Sequence, residues 1–528
     1  MSGSKKYWLL RCIILLFLAW AGMASETRSQ TSDLGFNPHA EEWIIEQLKK
    51  GPEADLANFD SNQQNRTIRG TFLFNLLVKP PNEISVPHTF IGISNATVVG
   101  DLTLTYMNVP FMVSLYRCHF LDNVIIQETT FQADVSLNDS VFDKSVNFLR
   151  SHILMTLGLD DARFTGKGVS VSFDEMKVDG PFLIRNAAFE GGVSFTRAAT
   201  GGFDARGAHF NSSEDKVDFY GIKITQDAAF VETHFKGTTS FANADIEKDL
   251  MMDQAKFENS LATVDFFSTK VGGNASFWQT HFDGGVRLTR MNIGGNLEFG
   301  SAVAGNTKME KDFSALKADD IIFNDALIAA PFFLNGMSYR LIFDQATDQG
   351  KPAQKDVLLD LINRSNYSPA NPDNYTNLEA FYLKQGNIEG AKNVHIDWRH
   401  RERSALGFRH HPLKYVWSIV EWITTGYGQR LEVALLWSVG FIILGIFVFR
   451  REEWMETKDQ GKAETFKGRY RPLWYSIALF LPIVSLEDKE VWIPKVDRRK
   501  TRFYMRLHII LGYLLIPIGL AAWTGLIK

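Results

Sequence analysis

Apolar side chains between residues 98 and 159 recur in a pattern that is not helical. An apolar residue, taken as position 0, is followed by apolar residues at +4 and +6. The series runs Val98/Leu102/Leu104, Val109/Val113/Leu115, Phe120/Val124/Ile126, Phe131/Val135/Leu137, Phe142/Val146/Phe148 and Ile153/Leu157/Leu159, with leading residues 11 apart. Position −2 is small at Cys118, Thr129, Ser140, Ala162, Ala187, Ala208, Thr233, Ala255 and Thr280. Inward residues paired at i and i+2 are strand alternation, and +4 with +6 cannot share one face of a 3.6-residue helix. The unit predicts very short strands separated by corners, in steps of 6 and 5 residues. Four steps, about 22 residues, close one square coil. The pattern continues through Phe189/Val193/Phe195, Phe235/Ser240/Phe241 (degenerate at +4), Phe282/Val286/Leu288 and Ile293/Leu297/Phe299 to Ile328/Phe332/Leu334. About ten coils stacked at strand spacing make a rod of about 50 Å.

With a small residue at −2 and Leu or Phe at 0, this unit resembles the pentapeptide-repeat proteins over residues 90–335. The resemblance implies a right-handed, four-sided β-helix, and so a mainly β fold class. The chain departs from that family by an extra residue in every second step. After Phe164, Phe210 and Phe257 the next module starts 14 residues on, not 11, at Val178, Ile224 and Val271. The added corners TGKGVSV, NSSEDKV and ENSLATV should stack along one edge of the rod, because their starts are two coils apart. That row is the candidate contact surface: Lys167, Asn211, Glu214, Asp215, Glu258 and Asn259.

The coil ends need covering, since open strand edges invite pairing. Residues 39–50 and 66–78 read as helices suited to this. Downstream, Lys355 to Arg364 reads as helical, as does the pair Tyr375 to Lys384 and Glu389 to Arg403, joined at Gly386. The pair resembles one tetratricopeptide-like hairpin.

The termini point to a membrane. Lys5, Lys6 and Arg11, then an apolar stretch and small residues near Ala24, match a cleavable secretory signal peptide. Leu431 to Phe449 and Leu507 to Ile527 have the length of spanning helices. Fourteen Lys and Arg lie from Arg450 to Arg506 and six from Arg399 to Arg430, which places the connection in the cytoplasm and the coil outside. Leu473 to Leu486, with Pro482, is too short to span and reads as interfacial or re-entrant. The expected organisation is a signal peptide over 1–24, a helical cap over 25–89, the β-helix over 90–338, a hairpin and juxtamembrane region over 339–429, spans at 430–450 and 507–527, and a basic connection over 451–506. The combined pattern is similar to bacterial pentapeptide-repeat-like membrane proteins, which implies the cytoplasmic membrane of a bacterium.

Composition narrows the chemistry. The 528 residues carry a net charge of −4, and two Cys rule out a disulfide framework. That balance argues against nucleic acid as a partner. There are 41 Phe against 14 Tyr and 12 Trp, and most of those between 90 and 335 are expected to fill the coil, often at positions 0 and +6. Thr424-Thr425-Gly426-Tyr427-Gly428 resembles a potassium-channel filter, whose carbonyls replace an ion's water shell. However, Gln429 stands where that family has Asp, so a juxtamembrane turn is the plainer reading. His209, His234 and His281 each precede a core Phe and should form an outward stripe rather than a metal site. No phosphate loop, nucleophile elbow or metalloprotease motif is present. The expectation is a membrane-anchored, non-enzymatic binding or scaffold protein without cofactor. Its partners would be membrane lipid and a protein or envelope polymer along the solenoid, with a homo-oligomer also open. The alternative is a subunit of an oligomeric pore with the solenoid as sensor.

Overall fold

The computed structural model describes residues 35–80, 90–323 except 169 and 306–310, 332–344 except 335, 336 and 340, 372–458 except 431, 470–481, and 490–523, with 359 and 362. The chain divides into two compact units. One holds the chain to Leu334 with Ser338–Ala353, and the other holds Asn335–Met337 with Gln354–Lys528. The signal-peptide pattern, the helix expected at 355–364 apart from residues 359 and 362, Pro482 and residues 524–527 of the second expected span lie outside the described residues.

The first unit is a parallel β-solenoid of about ten turns. Face 1 is an 11-stranded sheet that contains Thr67–Arg69, Thr97–Val99 and the two-residue strands from His119–Phe120 to Val303–Ala304. Face 2 is a second 11-stranded sheet, from Leu102–Thr105 to Phe332–Phe333. The other two sides join in a 20-stranded sheet. Pairing carries on to Leu341–Asp344 against Asp320–Phe323.

Position 0 faces inward, as the spacing requires. Phe120, Phe142, Phe164, Phe189, Phe210, Phe235, Phe257 and Phe282 stack down face 1 with centroids 4.5–5.2 Å apart. A second column, Phe148, Phe173, Phe195, Phe219, Phe241 and Phe266, rises from +6 positions and their equivalents. The small residues at −2 explain themselves by hydrogen bonding. Buried Ser140, Thr129, Ser151, Thr233, Thr269 and Thr280 donate their hydroxyls to carbonyls of the preceding turn, at 2.7–3.1 Å.

Helix α1 (Pro38–Lys50) begins with Asn37 accepting from His39 N–H, and Pro38 opens its first turn. The helix expected over 66–78 begins only at Gly70: α2 spans Gly70–Val78. Thr67–Arg69 are extended because buried Thr67 and Ile68 pair with Thr97 and Val98. Glu41 ties α1 to this strand, accepting from Arg69 N–H at 2.9 Å and from its guanidinium at 2.6 Å.

The three added corners all fall between a face-1 strand and the next face-2 strand, so they occupy one edge, in alternate turns. Glycines explain the close stacking. A Cβ at Gly237 would lie 2.2 Å from Asp215 O and 2.7 Å from Ser212 O, so the plain corner fits beneath the added one only without a side chain.

The second unit is helical. The hairpin α3 (Asp373–Lys384) and α4 (Ile388–Leu406) turns at Gly386, φ +72°. Then come α5 (Pro412–Thr425), α6 (Glu432–Val448), α7 (Pro472–Phe480) and α8 (Arg499–Trp523). Helix α7 packs on both neighbours, where Phe480 meets Ala434 and Leu515. Among the described residues no helix is long and apolar enough to cross a membrane. The expected spans are corrected to that extent. Helix α6 has 17 residues, and the first turns of α8 hold Arg499, Lys500, Arg502 and Arg506.

Candidate functional site

A two-residue strand holding an inward Phe sends its first residue outward, so face 1 carries one outward side chain per turn at position −1. Register fixes the order His119, Val141, Arg163, Ala188, His209, His234, Lys256, His281 and Val303. The residue at −3 is the corner before the strand, and its φ is positive: Asn186 (+54°), Gly207 (+67°), Glu232 (+57°), Gln254 (+59°) and Gln279 (+55°). An L residue resists this conformation by about 1–2 kcal/mol. Stacking holds it in place. Asn186, Gly207, Glu232 and Gln254 each donate N–H to a carbonyl of the next turn, at 2.7–2.9 Å.

The −3 and −1 rows together form a groove of about 530 Å³ over five turns. Asn186, Gly207, Glu232, Gln254 and Gln279 make its edge, and His209, His234 and Lys256 make its floor. The His209 and His234 rings lie 4.8 Å apart. Burial, then the neighbouring His234, Lys236 and Lys256, holds the His209 imidazole below its ordinary range, with Glu258 opposing. His234 Nδ1 sits 2.9 Å from Glu258 Oε1, and His281 Nε2 sits 2.8 Å from Asp283 Oδ1. A second concavity of about 490 Å³ is more apolar. Its Arg206 is already paired with Asp204 at 2.6 Å.

Of the six candidate contact residues, only Glu258 reaches the groove's own side chains. Asn211 donates to Glu190 at 2.8 Å beside it. Asp215 closes its own corner through the Ser212 hydroxyl at 2.9 Å. Asn259 caps Leu261 N–H at 3.1 Å, leaving Leu261 87% exposed at the tip. Lys167 and Glu214 are exposed. The histidine stripe was legible from its spacing, whereas Lys256 and the −3 row were missed. The signal for Lys256 was its position 22 residues after His234, one turn on. Among the described residues no group of three or more His, Cys, Asp or Glu is placed to hold a metal ion.

The other candidate, Thr424 to Gly428, ends α5. Gly426 caps the helix at φ +56°, with its N–H 3.0 Å from Trp422 O. The Thr425 carbonyl accepts from Arg430 N–H at 2.9 Å and the Gly426 carbonyl from Gln429 N–H at 3.2 Å. Gly428 N–H bonds the Thr425 hydroxyl, and the Tyr427 hydroxyl accepts from Ser418 at 3.3 Å. Carbonyls engaged in a helix terminator do not line up as a filter requires. Arg399 lies over the Tyr427 ring at 5.4 Å. Comparison with family models, characterised proteins and solved structures finds no match.

Proposed function

We propose that the protein is a membrane-held, non-enzymatic binding protein. Its solenoid presents an extended polar groove to a partner outside the cytoplasmic membrane. The observation that carries the binding reading is the groove's construction. Side chains from five successive turns line it, and they are amides, imidazoles, one amine and one carboxylate. Such a set makes repeated hydrogen bonds along an axis, which suits a long ligand.

The membrane part is supported by the exposed apolar side chains of the helical unit. Leu436 is 70% exposed, Phe447 65% and Phe503 70%, on helices whose flanks carry the Lys and Arg excess. Reporter fusions near residues 330, 465 and 528 test the topology. The expected signals are outside, inside and outside, and a cytoplasmic signal at 330 overturns the placement. Deleting the three added corners together tests their role as the rim of the contact surface. Unchanged partner binding removes them from it.

A further inference from the structure

We propose that the face-1 groove takes a linear acidic polysaccharide that runs along the solenoid axis, its carboxylates on the His209–His234–Lys256 row. This deepens the binding reading above and rests on it.

Spacing selects the polymer class. A ligand along the axis meets equivalent side chains every ~4.8 Å, the separation of adjacent strands. That step is close to the length of one pyranose unit in a linear glycan. An extended peptide advances only ~3.3 Å per residue, so it comes into step with only every second turn, at three residues to two turns, and misses the turns between. It would also find few free backbone partners, because face-1 strands spend their N–H and C=O groups on the turns above and below.

Chemistry selects the sugar and its charge. Gln254 and Gln279 each both donate and accept, as sugar hydroxyls do, whereas the Asn186 amide already donates to Asp161 at 3.2 Å. His209 is exposed, so an occupant can reach its ring. Trp278, next to Gln279 in the chain, is 39% exposed, and Gly300 keeps its ring close, since a Cβ there would lie 2.1 Å from it. That indole offers an apolar face to a sugar ring.

Two basic groups of the floor are unpaired: His209 and Lys256 have no ion-pair partner among the described residues. The nearby carboxylates are committed: Glu258 to His234, Asp283 to His281 and Glu190 to Asn211. Glu232 alone among the groove's lining is a carboxylate, and it sits on the edge rather than the floor. Around His209 stand His234, Lys236 and Lys256, which oppose its protonation, and Glu258, which favours it. A ligand carboxylate adds to the side of Glu258. Binding therefore takes up a proton and strengthens as pH falls.

The test uses purified full-length protein titrated with polygalacturonate and with its methyl-esterified, neutral form of equal length. The acid form should bind, and the ester at least about tenfold more weakly. His209→Gln with Lys256→Gln should weaken the acid form by about tenfold or more. Lys270→Gln, in the 20-stranded sheet, should leave affinity unchanged. The variants change outward side chains, and unaltered melting by circular dichroism confirms that they fold. Equal affinity for the two forms, affinity untouched by the double variant, or no binding of either form overturns the ligand class. The topology map and the corner deletion test the broader binding reading separately, so the two can fail independently.

Discussion

Phe219 is the most enclosed test of what holds the solenoid together. Its ring stacks between Phe195 at 4.8 Å and Phe241 at 4.6 Å, both within 1° of parallel. Edges of Phe203, Phe210 and Phe230 close the sides at 5.2–6.2 Å. Phe219→Ala removes a fully buried ring and leaves a cavity, which costs about 3–5 kcal/mol. Losing two stacked and three edge contacts puts this site at the upper end, about 5 kcal/mol. Phe219→Leu keeps most of the volume and should cost about 1–2 kcal/mol. A solenoid's stability is a sum over turns and their interfaces, so the loss should be local. Hydrogen exchange read by mass spectrometry gives opening free energies turn by turn. The expected result is strong deprotection of the turns holding Phe195, Phe219 and Phe241, fading within two turns. Equal losses for Ala and Leu, or deprotection spread evenly from residue 98 to 299, would refute the stacked-column account.

Other expectations concern sites where the pattern is broken or capped. Lys311 takes an inward position of face 2, its amine donating to Gly284 O, and burial pushes it down to about 8. The unfolded chain, at an ordinary lysine value, binds more protons above pH 8, so this site adds stability as pH rises from about 8 to about 10.4. Lys311→Met should raise stability at pH 7 by up to about 3 kcal/mol and flatten that rise, as read by denaturant titration across pH. Gly237→Ala forces a Cβ against Asp215 O and should cost about 1–3 kcal/mol, with exchange rising first at 212–215. Glu41→Ala leaves the Arg69 N–H and guanidinium without their carboxylate. It should cost about 1–3 kcal/mol and fray Thr67–Arg69 before the rest of the solenoid.

The core was readable from the sequence because its rule is periodic and one-dimensional. Phe at 0 and +6 and a small hydroxyl at −2 recur at a fixed step, and each position has one physical role. Of the 41 Phe, 27 lie between residues 90 and 335, and most of those follow this rule. The start of the solenoid was not readable, since Thr67-Ile68-Arg69 joins a helical stretch and only pairing with Thr97–Val99 makes it a strand. The groove was half readable. Its histidines follow the repeat, but Glu258 meets His234 on a diagonal, from two residues past His234's ladder partner Lys256, and no position in the repeat unit marks that contact. The −3 row carries no residue-type signature, because Asn, Gly, Glu and Gln all take the same left-handed corner there.

That indifference to residue type has a consequence for where binding can occur. The corners are held by N–H bonds to the next turn, so their side chains are free to be used otherwise. On the opposite left-handed edge they neutralise one another. Arg150 meets Glu175 at 2.8 Å and Glu128 at 3.9 Å, and Arg197 meets Glu175 at 3.7 Å. The carboxyl of Glu175 is held below its ordinary range by Arg150. An edge closed by its own ion pairs offers a partner only charges that must first be separated. The groove edge differs over Gln254 and Gln279, which are neutral amides beside a floor whose His209 and Lys256 lack counter-ions. Two edges of identical backbone therefore differ in what they leave unsatisfied. The unsatisfied one is the edge at which a ligand gains hydrogen bonds without breaking any.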